Sequence, residues 1–114
     1  MTLKRPGKGE IAAILELHAD VYQMYGSLRV VYLQVIWMKG RVPLTLEDQL
    51  VYDDVRFSVT RPYTRQWNLR IETVQHRDQG VYACTINTDP VQNKTVTLHV
   101  RGTEKLTVVV NFLL

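Results

Sequence analysis

Alternating apolar and polar positions dominate the chain after residue 54. One set of alternate residues is apolar in each of four segments, which is the period of a strand with one buried face. These segments are VRFSV (55–59), WNLRI (67–71), GVYACTIN (80–87) and KTVTLHV (94–100). Upstream, LRVVYLQVIWM (28–38) is rich in β-branched and aromatic residues and predicts another strand, and PLTLE (43–47) predicts a short one. Short strands at this spacing predict an antiparallel sandwich or barrel.

The first 27 residues follow a different period. Between residues 10 and 25 the larger side chains recur at i, i+3, i+4 and i+7, which predicts a helix. The positions are Ile11, Ile14, Leu15, His18, Val21, Tyr22 and Tyr25. Gly26 stands where a C-terminal cap would lie. The pattern predicts three regions: a helical segment (1–27), a strand-rich domain (28–101) and an apolar tail (102–114), whose KLTVVVNFLL has the composition of an extra strand.

Composition excludes several classes of protein. The 114 residues are 46% hydrophobic, which suits one domain with its own core. The net charge of +3 comes from scattered residues, whereas nucleic-acid binding needs a basic cluster on one face, so no nucleic-acid partner is predicted. No stretch reaches the ~18 apolar residues of a membrane span. IAAIL near the N-terminus is too short for the apolar core of a signal peptide, because Glu16, His18 and Asp20 follow it closely.

The reactive residues give no catalytic pattern. Cys84 is the only cysteine, so no internal disulfide is possible. With His18, His76 and His99 it shows no zinc-ligand spacing. Neither serine lies in a nucleophile-elbow context, and no glycine pattern suits a phosphate. We therefore predict no enzyme activity, no metal and no cofactor.

An ordered set of residues resembles the immunoglobulin (Ig) sandwich. Trp37 lies 47 residues before Cys84, and Leu69 and Ile71 form an L-x-I pair. Residues 78–84 then read D-x-G-x-Y-x-C. The resemblance implies that the tryptophan fills the core from strand C, that Leu69 and Ile71 point inward from strand E, and that the cysteine faces the tryptophan from strand F.

The same resemblance implies roles at the base of the sandwich. Gly80 would permit a tight corner between strands E and F, and the Tyr82 hydroxyl would return to backbone a few residues upstream. Arg56, at the start of strand D, would pair with Asp78. With the residues above, these make up the expected structural core set: Arg56, Trp37, Leu69, Ile71, Asp78, Gly80, Tyr82 and Cys84.

A closer resemblance covers residues 35–100. VIWMKG, RPY before WNLRI, and INTDP followed by LHV are similar to the first Ig domain of neural adhesion proteins of the lachesin, Dpr, DIP and neurotrimin type. It implies a non-catalytic extracellular or cell-surface protein. The partner would be another Ig-domain cell-surface protein, bound as a homodimer or heterodimer through the C–C′–C″–F–G face.

The strand periods then predict which side chains form that face. Residues that alternate with the inward set, and the F–G turn, should point outward. They are Ile36, Met38, Leu44, Leu46, Ala83, Thr85, Asn87, Thr88 and Asp89. Leu44 and Leu46 have the alternative of filling the core. Asn93-Lys94-Thr95 is a sequon for N-glycosylation at an exposed place, the start of strand G.

The chain departs from the family pattern before Trp37. The resemblance places a strand-B cysteine roughly 11–14 residues before the tryptophan, in QMYG (23–26), where there is none. Because that window ends the helical pattern, we expect an incomplete all-β sandwich in which a helix replaces strands A and B. Two alternatives stay open: an intracellular structural Ig domain of a muscle or scaffold protein, or a non-functional gene-model fragment.

Overall fold

The computed structural model describes residues 2–4, 14–21, 33–88, 90–101 and 105–113, with side chains described between residues 14 and 101 only. Within these ranges the complete elements are strands and one short 3-10 turn, His76–Asp78, and Val21 alone has helical conformation. The strands are β1 Thr2–Lys4, β2 Ile14–Leu17, β3 Val35–Lys39, β4 Val42–Leu46, β5 Gln49–Leu50, β6 Phe57–Thr60, β7 Asn68–Glu72, β8 Gly80–Ile86, β9 Gln92–Arg101 and β10 Lys105–Leu113.

Two antiparallel sheets pack face to face. The larger has the strand order β1-β10-β9-β8-β3-β4-β5, and the smaller has the order β2-β7-β6. Both sheets turn one set of alternate residues toward a common core, which is the arrangement that the alternating sequence pattern requires. The predicted all-β sandwich is therefore confirmed.

The core is centred on Trp37. Its register partner on β8 is Cys84, and both side chains are almost completely buried. The indole Nε1 of Trp37 donates a 2.9 Å hydrogen bond to the carbonyl oxygen of Trp67, at the start of the smaller sheet. This bond joins the two sheets at the middle of the sandwich. Apolar side chains from both sheets surround it: Leu15, Leu17, Val35, Phe57, Leu69, Ile71, Tyr82, Ile86, Val96 and Leu98.

The predicted N-terminal helix is wrong over residues 14–17, which form strand β2. Leu15 pairs with Ile71 and Leu17 with Leu69, in antiparallel register. Apolar residues at 15, 17, 19 and 21 also alternate, so the same segment carries a strand period. Pairing with β7 decides between the two periods because it buries this row in the core. Residues 10–13 and 22–25 of the predicted helix lie outside the described residues.

The extended pairing continues past β2. The amide of Trp67 donates to the carbonyl oxygen of Ala19 at 3.0 Å, and the amide of Val21 donates to that of Arg65 at 2.9 Å. Ala19 and Val21 are fully buried, like the two leucines before them. A strand beside β7 is the place of strand B in an Ig sandwich. The expectation that strand B is replaced by a helix is therefore wrong, and β2 brings residues from within the segment 1–27 into the sandwich.

The apolar tail supplies a strand, as its composition indicated. β10 pairs antiparallel with β9, with Val108 opposite Val100, and β1 pairs with the start of β10. The larger sheet thus extends by two strands beyond β9. In the middle of the same sheet, the strand that the sequence predicted over residues 28–38 begins at Val35 in the described part of the chain.

Candidate protein-binding face

The outer face of the larger sheet carries two rows of register partners across four strands. In the first row Asn93 on β9 pairs with Thr85, Thr85 with Ile36, and Ile36 with Leu46. In the second row Thr95 pairs with Ala83, Ala83 with Met38, and Met38 with Pro43. We call these eight residues the central patch. With neighbouring strands about 4.8 Å apart, each row spans about 14 Å.

The central patch is uncharged and largely apolar. Leu46 is 40% exposed, and Ile36 and Met38 are half-buried between their neighbours. A further exposed apolar side chain, Val81, lies on the same phase of β8 as Ala83 and flanks the second row. Apolar groups grouped in this way on one face, with amides at the margin, form the anatomy of a protein-binding surface.

The outer face of the smaller sheet is mostly polar by contrast, and Ile14, 44% exposed, is its large apolar exception among the described residues. Glu16 accepts hydrogen bonds from the Thr60 hydroxyl and, at 2.9 Å, from the Asn68 amide. Arg70 and Glu72 form an ion pair at 3.3 Å on the same face. The hydrogen bond from Thr60 is the largest effect that lowers the pKa of Glu16 below its ordinary value. Docking an apolar partner here would strip water from charged groups, which is costly.

Leu44 does not lie on the outer face. It is fully buried, the core alternative that the sequence left open. The reason is an irregularity in the pairing of β3 with β4 between Trp37 and Met38. One extra residue in a strand reverses the alternation of faces beyond it. Leu46 pairs with Ile36, on the other side of this irregularity from Met38, and remains exposed.

The turn after β8 also differs from the simple alternation. Thr88 is buried, and its hydroxyl donates to the carbonyl oxygen of Pro90 at 2.8 Å, so it offers nothing to a partner. Asn87 is exposed, and its Oδ1 accepts a 2.7 Å hydrogen bond from the amide of Gln34. Asp89 lies outside the described residues.

A charged clamp holds the base of the sandwich. Arg56 Nη2 lies 2.7 Å from Asp78 Oδ1, and Nη1 lies 2.8 Å from Oδ2. Nη1 also donates to the carbonyl oxygen of Thr73 at 3.0 Å. The bond to Asp78 is the main cause that raises the pKa of Arg56 above its ordinary value. Both side chains are mostly buried, so the pair is a desolvated, bidentate one.

The corner before β8 depends on Tyr82 and Gly80. The buried Tyr82 hydroxyl donates to the carbonyl oxygen of Asp78, and burial raises the pKa of Tyr82. Gly80 has φ of +150°, and a Cβ there would lie 3.1 Å from Lys39 Cε. Lys39 itself extends over the Tyr82 ring and donates to the carbonyl oxygen of Arg77 at 2.7 Å. A side chain at position 80 would therefore disturb the corner.

The sandwich resembles solved domains of adhesion complexes. The structure of Dpr1 IG1 bound to DIP-eta IG1 aligns over 76% of this chain and 79% of that chain, with 32% identity and a TM-score of 0.64. The chain belongs to the immunoglobulin superfamily. More closely, it is a first Ig domain of the cell-adhesion type. The structure of Dpr11 IG1 bound to DIP-gamma IG+IG2 aligns over 76% and 87% of the two chains, with 26% identity and a TM-score of 0.61.

More distant structures share the fold. The Ig1 domain of mouse SynCAM 2 aligns over 83% of this chain and 87% of that chain, with 19% identity and a TM-score of 0.59. No protein-family model matches the sequence, and no curated protein matches it significantly. In Ig terms β3, β4 and β5 are strands C, C′ and C″, β8 and β9 are F and G, and β2, β7 and β6 are B, E and D.

The single thiol of this Ig domain is placed as a core residue. Cys84 is fully buried, and burial raises its pKa to about 12. A buried thiol with a raised pKa is a poor nucleophile at neutral pH, because little of it is thiolate. Among the described residues, no group of three or more His, Cys, Asp or Glu side chains could hold a metal ion. The same part of the chain contains no helix that could span a membrane.

Sequence reasoning missed two members of the exposed apolar surface. Pro43 was hidden by the irregularity between β3 and β4, which no local pattern announces. Val81 could have been found from the sequence, because it is an apolar residue among the outward-facing positions of strand F. An apolar residue at such a position is a pointer to a docking face.

Proposed function

We propose that this Ig domain is a non-catalytic recognition module that binds another Ig domain through the central patch. The observation that carries the proposal is the contrast between the two outer faces. Strands C and C′ present Ile36, Met38 and Leu46 without a charge, whereas the B–E–D sheet presents an ion pair and a bonded carboxylate. An exposed apolar patch of this kind gains free energy when a partner covers it.

Solved relatives support the class of partner. The similar structures are complexes in which Dpr1 IG1 is bound to DIP-eta IG1 and Dpr11 IG1 to DIP-gamma IG+IG2. By analogy the partner is an Ig domain of a second cell-surface protein, either identical to this chain or different. We further propose that the chain acts outside the cell, in adhesion of the neural, lachesin-like type.

The anatomy of the patch fits such an interface. Its centre is Ile36 and Met38, and the margin contains Asn93 on strand G and Asn87 in the turn after strand F. Stable interfaces bury about 800 Å² on each partner, so the flanking Val81 would be covered as well. Residues at the centre of an interface contribute most of its binding free energy.

The test is a charge placed at the centre of the patch. We expect Ile36→Asp to weaken binding at least about tenfold, because docking would then bury an unpaired carboxylate. Ser58→Asp, on the outer face of strand D, is the matched control and should bind normally. Light scattering measures self-association, and surface-immobilised Ig domains of the Dpr and DIP type measure heterophilic binding.

The outcome separates a binding defect from a folding defect. Thermal unfolding of Ile36→Asp must show a folded domain before its binding is judged. If the folded variant binds as tightly as the wild type, the central patch is not the interface. If Ser58→Asp alone loses binding, the B–E–D face is the interface instead.

A further inference from the structure

The sequon of this chain lies within the central patch. Asn93 is the end of the first row and Thr95 is the end of the second, so both side chains point to the outer face of the larger sheet. Their neighbours Val96, Leu98 and Val100 fix this direction, because they occupy the opposite phase of strand G and are buried. A glycan on Asn93 would therefore stand on the binding face itself and not on a remote edge.

We propose that Asn93 is a glycosylation site whose glycan covers the central patch and restricts Ig–Ig docking. The restriction of docking rests on the proposed function, whereas the glycosylation of Asn93 does not. Asn93 is exposed, and the pairing of β10 with β9 reaches only Thr95, so Asn93 lies beyond the last described pair. Ile36 is two strands away, about 10 Å, well within the reach of a branched oligosaccharide.

The chemistry is ordinary for a chain that enters the secretory pathway. The Asn93 amide nitrogen forms a bond to C1 of the first sugar of a lipid-linked diphospho-oligosaccharide. The bond between C1 and the diphosphate oxygen breaks, the lipid diphosphate leaves with the electron pair, and one amide proton passes to a base. The Thr95 hydroxyl completes the acceptor triplet.

Occupancy is tested without any binding assay. The chain, fused to a cleavable secretion signal, is translated in the presence of microsomes and examined by gel shift and intact mass. We expect one glycan on the wild type and on Thr95→Ser, which keeps the sequon, and none on Thr95→Ala. A translocated wild-type chain without a glycan overturns the proposal.

Covering of the patch is tested on the monomer. Thr85→Cys places a thiol in the first row, and Ser58→Cys places one on the outer face of the other sheet. Each is labelled with a maleimide attached to a large polymer, before and after enzymatic trimming of the glycan. We expect trimming to accelerate labelling several-fold at position 85 only. Equal rates at position 85 before and after trimming overturn the masking.

Binding completes the test. We expect glycosylated wild type and Thr95→Ser to bind at least about tenfold more weakly than the same two chains after enzymatic trimming of the glycan, which leaves every residue of the patch unchanged. Equal binding before and after trimming overturns the restriction of docking. If no form binds any Ig domain, the proposed function fails, while the gel shift and the labelling rates still decide whether Asn93 is modified and the patch covered.

Discussion

Replacing Ala19 by cysteine is expected to create a disulfide bond with Cys84. A chain of contacts places the two residues at one level of the sandwich. Trp67 donates its amide proton to the carbonyl of Ala19 and accepts the indole proton of Trp37, and Trp37 is the register partner of Cys84. Ala19 and Cys84 are both fully buried on facing sheets. A disulfide forms when two such Cα atoms approach within 4.4–6.8 Å.

The stabilisation follows from the length of the closed loop. Positions 19 and 84 are 84 − 19 = 65 residues apart. Closing a loop of about 65 residues removes denatured-state entropy worth about 4 kcal/mol on the chain-entropy model, and measured bridges give about 2–4 kcal/mol. With a urea slope of about 1.5 kcal/mol/M, a gain of about 3 kcal/mol raises the unfolding midpoint by about 2 M.

The assay must allow for the low reactivity of the native thiol. Burial raises the pKa of Cys84 to about 12, so little thiolate exists in the folded state at neutral pH. The variant is therefore refolded from urea under oxidising conditions, and free thiols are counted after denaturation. We expect no free thiol in oxidised Ala19→Cys, and a urea midpoint that falls when reductant is added.

A matched variant tests whether Ala19 is the residue that lies opposite Cys84. Val21→Cys adds one thiol at the next buried position of the segment that follows β2, where the amide of Val21 donates to the carbonyl oxygen of Arg65. It should keep two free thiols after the same treatment. Two free thiols in Ala19→Cys, or a bridge formed equally well from position 21, would refute the assignment of Ala19 as the residue opposite Cys84.

Three further predictions concern stability. Arg56→Met should lower the free energy of unfolding, measured with urea, by about 3–5 kcal/mol, because it leaves the buried Asp78 carboxylate without its bidentate partner. Adding Asp78→Asn should recover part of this loss of stability. A double variant that recovers none of it would argue against a charge effect. The folded-state pKa of Glu16 lies below its unfolded value, so its contribution is complete above the unfolded pKa and is lost as pH falls through the folded pKa. Glu16→Gln should therefore be less stable than wild type at pH 6, and the difference should shrink as the pH is lowered through the acid range. Thr73 is a β-branched residue at φ +49°, so Thr73→Asn should raise the thermal midpoint by the equivalent of about 0.5–1 kcal/mol, whereas Thr73→Val should give no gain.

Most of the fold was readable because the later strands carry a single period. In β8 and β9 the buried residues alternate without exception, in β7 only the buried Asn68 breaks the alternation, and no helical pattern competes. The segment containing β2 satisfies both periods, since Leu15 and Val21 belong to the helical set and to the strand set. Only the pairing with β7 resolves that ambiguity, and its register partners lie more than 50 residues away in sequence.

The candidate site shows where alternation along a single strand fails to predict which face a residue occupies. Ile36, Met38, Ala83 and Thr85 follow the alternation and reach the outer face as predicted from it. Leu44 does not, because the pairing shifts between Trp37 and Met38, and a shift of one residue exchanges the two faces of β4. Such irregularities depend on the partner strand, so the pattern of a single strand does not reveal them.

Strand C links the core to the binding face, and this has a consequence for the missing disulfide. Trp37 points inward and is held by its hydrogen bond to Trp67, while the residues on either side of it, Ile36 and Met38, point outward to the patch. At the base, Arg56 and Asp78 join strand D to the corner that begins strand F. The strands that carry the patch are thus held on their core side by the Trp37–Trp67 hydrogen bond and at the base by the Arg56–Asp78 pair. Neither contact needs a second cysteine. The absent bridge should therefore lower the free energy of unfolding without loosening the geometry of the face.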